Sequence, residues 1–275
     1  MNRLLIAETK RFWARRISRF FPLILAGLIF GGIVIAYFVI RASGDTYDFI
    51  DDIARSDGPN GPVTVLGPIA GLLPIMAFVL GASYIGADLK SGVIEQILTW
   101  EPRRMRLLGA RLIGGGASVF VLAAALAAWL VVLLYGLFAA IGTTDGVDAD
   151  LWLDTIVAIG RTGLAAALFF AIGVAVTVLV NSSVGAIVGF VIYWFIGENF
   201  IIAAFLPQVA VWLPIANASS FGSGQDVTYI EGSLFSEDFE LLTHHGYVTA
   251  GIYLGLWTAL FVVASAVWFS YRDVD

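Results

Sequence analysis

Two kinds of residue are scarce in this chain: cysteine is absent from its 275 residues, and charged side chains make up only 13% of them. The absence of cysteine excludes disulfide bonds and thiol chemistry. Ordinary soluble domains carry about 25% charged residues. With half that share, and with 59% hydrophobic residues, the chain is expected to lie largely within a membrane.

The sequence also lacks the motifs of several enzyme classes. It has no G-x-x-x-x-G-K-[ST] loop to bind nucleotide phosphates, so it is not expected to hydrolyse ATP. It has neither the H-E-x-x-H motif of zinc enzymes nor the G-x-S-x-G motif of serine hydrolases. Its two histidines, His244 and His245, are adjacent, which makes a poor metal site, and we expect them to be solvated loop residues. The chain is therefore predicted not to be an enzyme and to bind no metal or other cofactor.

Six apolar stretches are long enough, at about 20 residues, to cross the hydrocarbon core of a bilayer as helices. These predicted spans are 21–40, 65–85, 112–141, 156–180, 184–206 and 248–269. The rest of the sequence leaves no room for a soluble domain of useful size. The sequence thus predicts an all-α membrane protein, with one six-span transmembrane domain at 21–270 and a short cytoplasmic tail at 271–275.

The distribution of lysine and arginine predicts how the spans are oriented. Of the 15 basic residues, six lie in 1–20, five in the loop between predicted spans two and three, and one in the tail. The loops on the other side are acidic, with Arg55 as their only basic residue. Both termini are therefore expected to be cytoplasmic in a plasma-membrane protein. The net charge of −6 then belongs to the outer loops and does not indicate a nucleic-acid partner.

Residues 1–20 are predicted to form an amphipathic helix that lies in the membrane interface. At helical spacing one face is apolar and the other basic, which is the pattern of interfacial helices. The apolar face consists of Ile6, Trp13, Ile17 and Phe20, and the basic face of Arg11, Arg15 and Arg19. Pro22 is expected to turn the chain from this helix into the first span.

The stretch 86–111, here called the elbow, carries eight ionisable residues between predicted spans two and three. An amphipathic coupling helix is predicted at 88–100, with Asp88 and Glu95 on one face. Pro102 should end it, because the residue before a proline is driven out of the helical region. Anchoring by positive charge explains the arginines but not the acids. Mixed charge on a short helix suits docking to a soluble protein.

Within the elbow, ADLKSGVIEQILTWEPRRMRLLGAR resembles the signature of ABC-2 type permeases, the membrane subunits of one class of ATP-binding-cassette exporters. Eight residues match that signature in order and spacing: Asp88, Gly92, Glu95, Leu98, Thr99, Pro102, Arg104 and Arg111. The chain departs from it at Val93, where threonine is usual, and at Arg103, where a small polar residue is frequent. The arginine-rich form of the motif is similar to that of permeases from high-GC Gram-positive bacteria.

The resemblance implies a permease subunit that exports a drug, lipid, peptide or glycan-like substrate. It also implies a second permease copy or a related permease, and two cytoplasmic ABC ATPase subunits that bind ATP and Mg²⁺. The elbow and the interfacial helix would contact the ATPase. The residues so implicated are Asp88, Gly92, Glu95, Leu98, Thr99, Glu101, Pro102, Arg103, Arg104 and Arg111 in the elbow, and Arg11, Trp13, Arg15, Ile17 and Arg19 in the interfacial helix.

The alternative to this interpretation is a membrane protein that works without an ATPase: a channel, a secondary transporter, or an immunity or scaffold protein. A channel or secondary transporter would favour several buried charges along its path. Glu198, in predicted span five, is only one such charge and by itself supports such a path weakly.

Several other features allow two interpretations each. Glu198 and Asn199 mark either the substrate path or an exposed helix end. Arg161 is expected to snorkel towards the interface or to pair with Asp154 on the same helix face. The long outer loop 207–247 either re-enters the membrane or lies on its surface.

Glycine pairs four residues apart predict close helix packing, within the bundle or in a dimer, because they let helix backbones approach in lipid. These pairs are Gly27/Gly31, Gly67/Gly71, Gly185/Gly189 and Gly251/Gly255.

Overall fold

A computed structural model of the chain describes residues 2–43, 61–93, 96, 103–141, 149–202, 207–231 and 240–271. The helices are α1 (Asn2–Ala14), α2 (Arg16–Ser43), α3 (Gly61–Lys90), α4 (Arg104–Ile141), α5 (Ala149–Val180), α6 (Ser183–Ile192), a π-helical segment (Tyr193–Ile202), α7 (Pro207–Ala210), α8 (Pro214–Ser223) and α9 (Tyr247–Tyr271). Two antiparallel strands, β1 (Val227–Glu231) and β2 (Glu240–His245), form a hairpin between α8 and α9. The described chain is thus mostly helical, and the hairpin is the one addition to the all-α prediction.

Five described helices are long and apolar enough to cross a membrane: Arg16–Val39, Ala70–Lys90, Arg104–Leu137, Ala149–Val180 and Tyr247–Tyr271. They correspond to five of the six predicted spans. The predicted span at 184–206 instead contains a shorter apolar helix, Ser183–Glu198, whose regular α-helical part ends at Ile192. The chain continues there as a π-helix, which holds one more residue per hydrogen-bonded turn and is frequent at functional sites.

The first break in the helical chain falls at Arg15 and not, as the sequence predicted, at Pro22. Arg19 explains this position, because its Nε donates to the carbonyl oxygen of Trp13 at 2.6 Å and so satisfies an orphan group at the end of α1. Pro22 lies inside α2, where it removes one backbone hydrogen bond without ending the helix.

The tightest helix packing joins α3 to α5. A methyl group at Gly81 would collide with the carbonyl oxygen of Phe170, and one at Gly173 with that of Phe78. Neither glycine belongs to the predicted pairs. Open space surrounds four members of those pairs: Gly27, Gly31, Gly189 and Gly255. Spacing alone predicts that small residues permit close approach, but which glycines face another helix depends on how the bundle folds.

Helix α8 is buried between α3, α5 and α9 at the end of the bundle opposite the elbow, here called the far end. Thr162 Oγ1 in α5 donates to the carbonyl oxygen of Gly222 at 3.2 Å. A methyl group at Gly222 would lie 2.9 Å from Cβ of Ala70 in α3. Residues 214–223 of the predicted outer loop therefore pack as part of the helical bundle and do not form a plain surface loop.

Candidate functional site

The carboxylate of Asp88, near the end of α3, is buried at 4% exposure and surrounded by three arginines. Its Oδ1 lies 2.8 Å from Nη2 of Arg15 and 3.1 Å from Nη2 of Arg11. Its Oδ2 lies 3.0 Å from Nη2 of Arg111 in α4. A negative charge at a helix C-terminus opposes the helix dipole, and the three guanidinium groups offset that cost.

A second buried acid, Glu8 of α1, extends this arrangement. It accepts a hydrogen bond from the hydroxyl of Tyr84, which lies one turn before Asp88 in α3. Its Oε1 lies 3.8 Å from Nε of Arg111. The guanidinium of Arg15 stacks 4.5 Å from the centre of the Tyr84 ring. We call the set Glu8, Arg11, Arg15, Tyr84, Asp88 and Arg111 the arginine–acid cluster.

The arginine–acid cluster joins three segments that are far apart in sequence. With two carboxylates and three guanidinium groups, it carries one formal positive charge in excess. Arg111 is 1% exposed, so loss of its acidic partners would leave a buried charge without compensation. Phe12 of α1, fully buried beside Tyr84 and Phe170, adds an apolar contact to the ionic ones. The cluster therefore holds α1 firmly against the start of the elbow.

The predicted basic face of residues 1–20 is mostly turned towards the protein. Its apolar residues Trp13 and Ile17 are exposed as expected. Arg11 and Arg15, however, turn towards the protein and bind Asp88, because a carboxylate in a partly buried site attracts them more strongly than water does. Only Arg19 of the predicted basic face stays exposed.

Two members of the arginine–acid cluster, Glu8 and Tyr84, and the adjacent Phe12 were not predicted from the sequence. One signal was available, since Tyr84 and Asp88 are four residues apart and share a helix face. Glu8 and Arg11 likewise lie one helical turn apart, with Glu8 Oε1 3.9 Å from Arg11 Nη1.

The elbow begins with a helix end. Helix α3 ends at Lys90, and Gly92 follows with a φ of 66°, a left-handed conformation that glycine adopts without strain. The helix that contains Asp88 therefore does not continue unbroken past Gly92, which corrects the prediction of a single helix over 88–100. Of the predicted coupling residues, five lie outside the described residues: Glu95, Leu98, Thr99, Glu101 and Pro102.

The C-terminal part of the elbow leads into α4. Arg103 is exposed, and its carbonyl oxygen accepts from the backbone N–H groups of Arg106 at 2.9 Å and Leu107 at 3.2 Å. Arg104 Nη1 donates to the carbonyl oxygen of Phe269 at 3.5 Å, which ties the start of α4 to the end of α9. Thus Asp88, Gly92, Arg103, Arg104 and Arg111 are placed around one corner of the bundle, with Arg111 inside it.

Glu198, at the far end, is buried at 5% exposure, so the interpretation as an exposed helix end is wrong. Its Oε1 accepts from the backbone N–H groups of Ile215 at 3.1 Å and Ala216 at 2.9 Å, in the first turn of α8. A carboxylate there satisfies two orphan donors and interacts favourably with the helix dipole. The side chain of Asn199 lies outside the described part of the structure.

The two histidines belong to a hydrogen-bonded chain at the far end. Asn217 Nδ2 donates to the carbonyl oxygens of Val211 and Leu213, so its Oδ1 is the acceptor for His245 Nε2 at 2.9 Å. His245 Nδ1 is then the acceptor in its 2.7 Å bond with His244 Nδ1. His244 is exposed as predicted, whereas His245 is half-buried, and both lie in β2 and not in a loop.

The pKa of His245 lies below its ordinary value. Burial is the main cause, repulsion by His244 adds to it, and Asp226 acts in the opposite direction. Among the described residues no group of three acidic or histidine side chains could hold a metal ion.

Arg161 of α5 lies over the ring of Tyr247, 4.8 Å from its centre. It also lies against Gly224, where α8 ends with a φ of 79°. Asp154, its predicted partner, is exposed. Arg161 thus helps to hold α8 and α9 together at the far end.

Comparison with known protein families gives one finding. Residues 20–274 match the family described as ABC-2 family transporter protein. A search of curated proteins finds no match. The matched range includes the whole elbow, Glu198 and α8, whereas the part of the arginine–acid cluster on α1 precedes it.

Proposed function

The chain belongs to the ABC-2 family of transporter proteins, and from this premise we propose that it is the permease subunit of an exporter driven by a separate cytoplasmic ABC ATPase. The complex would hold two ATPase subunits, which bind ATP and Mg²⁺, and a second copy of this chain or a related permease. Both termini would lie in the cytoplasm of a plasma-membrane protein. The exported substrate would be a drug, a lipid, a peptide or a glycan-like molecule.

In this proposal the chain crosses the membrane six times. The fifth crossing would consist of α6 and the π-helical segment together, which are ten residues each. Twenty residues are about the length needed to span the hydrocarbon core.

The arginine–acid cluster is the observation that supports the proposal best. It ties the end of α3, the start of α4 and the α1 helix into one unit at the base of the elbow. A flexible loop would not pass on a displacement imposed by a partner protein, whereas a corner held by buried ion pairs would. Asp88 and Arg111 then act inside the corner and do not contact the ATPase themselves.

The surface that meets the ATPase would be the outside of the elbow. Lys90 and Arg103, at its two ends, are exposed. Between them the sequence carries Glu95 and Glu101, so this surface would present both signs of charge to its partner. Charge complementarity of this kind favours specific docking.

Motion of the elbow would reach the rest of the bundle through α3. The backbones of α3 and α5 touch at Gly81 and Gly173, so that neither helix slides freely past the other. Helix α5 in turn contacts α8 and α9. Movement of α3 would therefore be passed to the helices at the far end.

Purification of the chain in a mild detergent from its native host, followed by mass spectrometry, tests the proposal. We expect an ABC ATPase and one further permease subunit to be recovered with it. Recovery of an intact complex without an ATPase contradicts the proposal.

A charge reversal tests the role of the elbow more sharply. In the reconstituted complex, Glu95→Lys is expected to lower transport per ATP hydrolysed by about tenfold, a usual size for coupling between sites. Asp154→Lys, which changes an exposed acid outside the elbow, is the matched control and should leave the ratio unchanged. An equal ratio of transport to ATP hydrolysis in the two variants would show that the elbow does not take part in coupling.

A further inference from the structure

A cleft of about 320 Å³ lies between α9 on one side and α6 with the π-helical segment on the other. Its floor is one face of α5, formed by Phe169, Ile172 and Val176. Gly189 lines one wall, and Trp257 and Phe261 line the other. The size is that of a ligand pocket.

The lining of the cleft offers almost nothing to a polar occupant. None of the lining residues is charged. The indole N–H of Trp257 already donates to the carbonyl oxygen of Trp212 at 3.0 Å, so Trp257 presents only its ring. Tyr193 carries the one hydroxyl among them. A sugar, an ion or a peptide backbone would lose its hydrogen bonds to water here without replacement.

The cleft is elongated. Its floor runs along α5 from Phe169 to Val180, which at 1.5 Å per residue is about 16 Å. An α-helix of that length, about 10 Å in diameter with its side chains, takes up roughly 1,200 Å³ and does not fit into a volume of about 320 Å³. The cleft therefore admits a thin occupant and not a whole helix from a second copy.

The surface around the cleft is apolar and exposed. On α6, Val188 and Ile192 adjoin the lining residues in sequence and are exposed. On α9 the same holds for Leu256 and Leu260. Exposed aliphatic residues of a membrane-spanning helix lie at the depth of the lipid tails, so an acyl chain reaches the cleft unless a second permease covers it.

We propose that this cleft is a binding site for a single acyl chain of a lipid from the surrounding bilayer. The apolar lining, a volume too small for a helix and the exposed apolar surface around the cleft all favour this occupant. The aromatic walls restrict the chain laterally, and the α5 floor sets its length. The site does not depend on an ATPase, so its test is separate from that of the proposed function.

Gly189 offers a way to fill the cleft without disturbing the fold. A methyl group added at this position meets no other atom within 4 Å, so a longer side chain would start from open space at the cleft wall. Leucine also favours a helix more than glycine does. Gly255 of α9 is the matched control, because it too has open space but does not line the cleft.

The experiment uses the full chain in nanodiscs that contain a phosphatidylcholine with a diazirine on one acyl chain. After irradiation, we expect labelled peptides from the cleft walls around Phe190 and Phe261. In Gly189→Leu the labelling should fall about tenfold, since loss of two buried methylene contacts is enough for that change. In Gly255→Leu it should stay at the wild-type level.

Equal labelling of the two variants, or labels spread evenly over the exposed faces of α2, α6 and α9, would overturn the proposal. Labelling of the wild-type cleft that is lost only when transported substrate is added would show that the site holds cargo, and this too would overturn it. A cross-link to a second copy of the chain at these residues would do the same.

Discussion

The two ends of the bundle each bury a carboxylate, and they neutralise it in opposite ways. At the elbow, Asp88 is held by side-chain charges from α1, from the bend after it and from α4. At the far end, Glu198 is held by backbone N–H groups of α8. Full charges act over a longer range than peptide dipoles and cost more to separate in a low dielectric. The comparison indicates that the end held by the arginine–acid cluster is the stiffer of the two.

The largest expected effect comes from Asp88→Asn, which removes the common partner of three arginines. Because Arg111 is almost fully buried and the variant leaves only Glu8 to compensate three guanidinium groups, it should lower the free energy of unfolding by about 3 kcal/mol. Thermal unfolding in detergent measures this. Asp154→Asn changes an exposed acid and should stay within about 0.5 kcal/mol of wild type.

The same variant tests whether the end held by the arginine–acid cluster is the stiffer one. In Asp88→Asn we expect faster proteolysis within α1, because Arg11 and Arg15 lose the carboxylate that holds them. An unfolding temperature and a cleavage pattern like those of wild type would show that the cluster contributes little to stiffness.

A smaller effect is expected from Glu198→Gln. Glutamine keeps an oxygen that accepts from Ile215 and Ala216 but loses the charge, so the cost should be about 1 kcal/mol. Unfolding in detergent and export across a substrate panel would be measured together. A loss as large as that of Asp88→Asn would contradict the comparison of the two ends, and unchanged export would remove Glu198 from the substrate path.

The smallest effect concerns pH at the far end. The folded state lowers the pKa of His245, so the neutral form is favoured by folding. The resulting stability is present above the ordinary histidine pKa of about 6.5 and is lost as pH falls from there through the folded value. Protonated His245 would also have to break its bond with His244, since both Nδ1 atoms would then carry hydrogen.

Unfolding temperatures measured from pH 7.5 to 5 would check this, with His245→Gln as the variant that does not titrate. We expect part of the decline towards low pH to disappear in the variant. An identical decline in both proteins would show that His245 does not contribute.

The positions of most helices could be predicted from sequence, because a membrane requires long apolar stretches wherever a helix crosses it. Five of the six predicted spans are present as such helices. The elbow could also be found, since its charges interrupt those stretches. The coupling role of its residues stays a prediction.

What could not be predicted is which side chains meet. The amphipathic pattern of α1 correctly separated Trp13 from Arg11, and Glu8 lies one helical turn before Arg11 on the same helix. The contact of Arg11 with Asp88, in contrast, depends on how α1 folds back onto α3. Of the predicted glycine pairs, Gly251 does pack tightly, since a methyl group there would lie 2.6 Å from the Phe221 ring. The closest backbone contacts, however, are at Gly81 and Gly173, outside the pairs.

By itself the sequence determined that the chain belongs in a membrane, the rough place of five apolar helices, and the location of the charged corner, because these follow from local composition and spacing. The tertiary structure alone decided that Arg11 and Arg15 face inward, that Glu198 binds α8, and that Gly189 borders a cleft. Ion pairs, helix caps and cavities arise between segments far apart in the chain. Their partners are settled by packing and not by the order of residues.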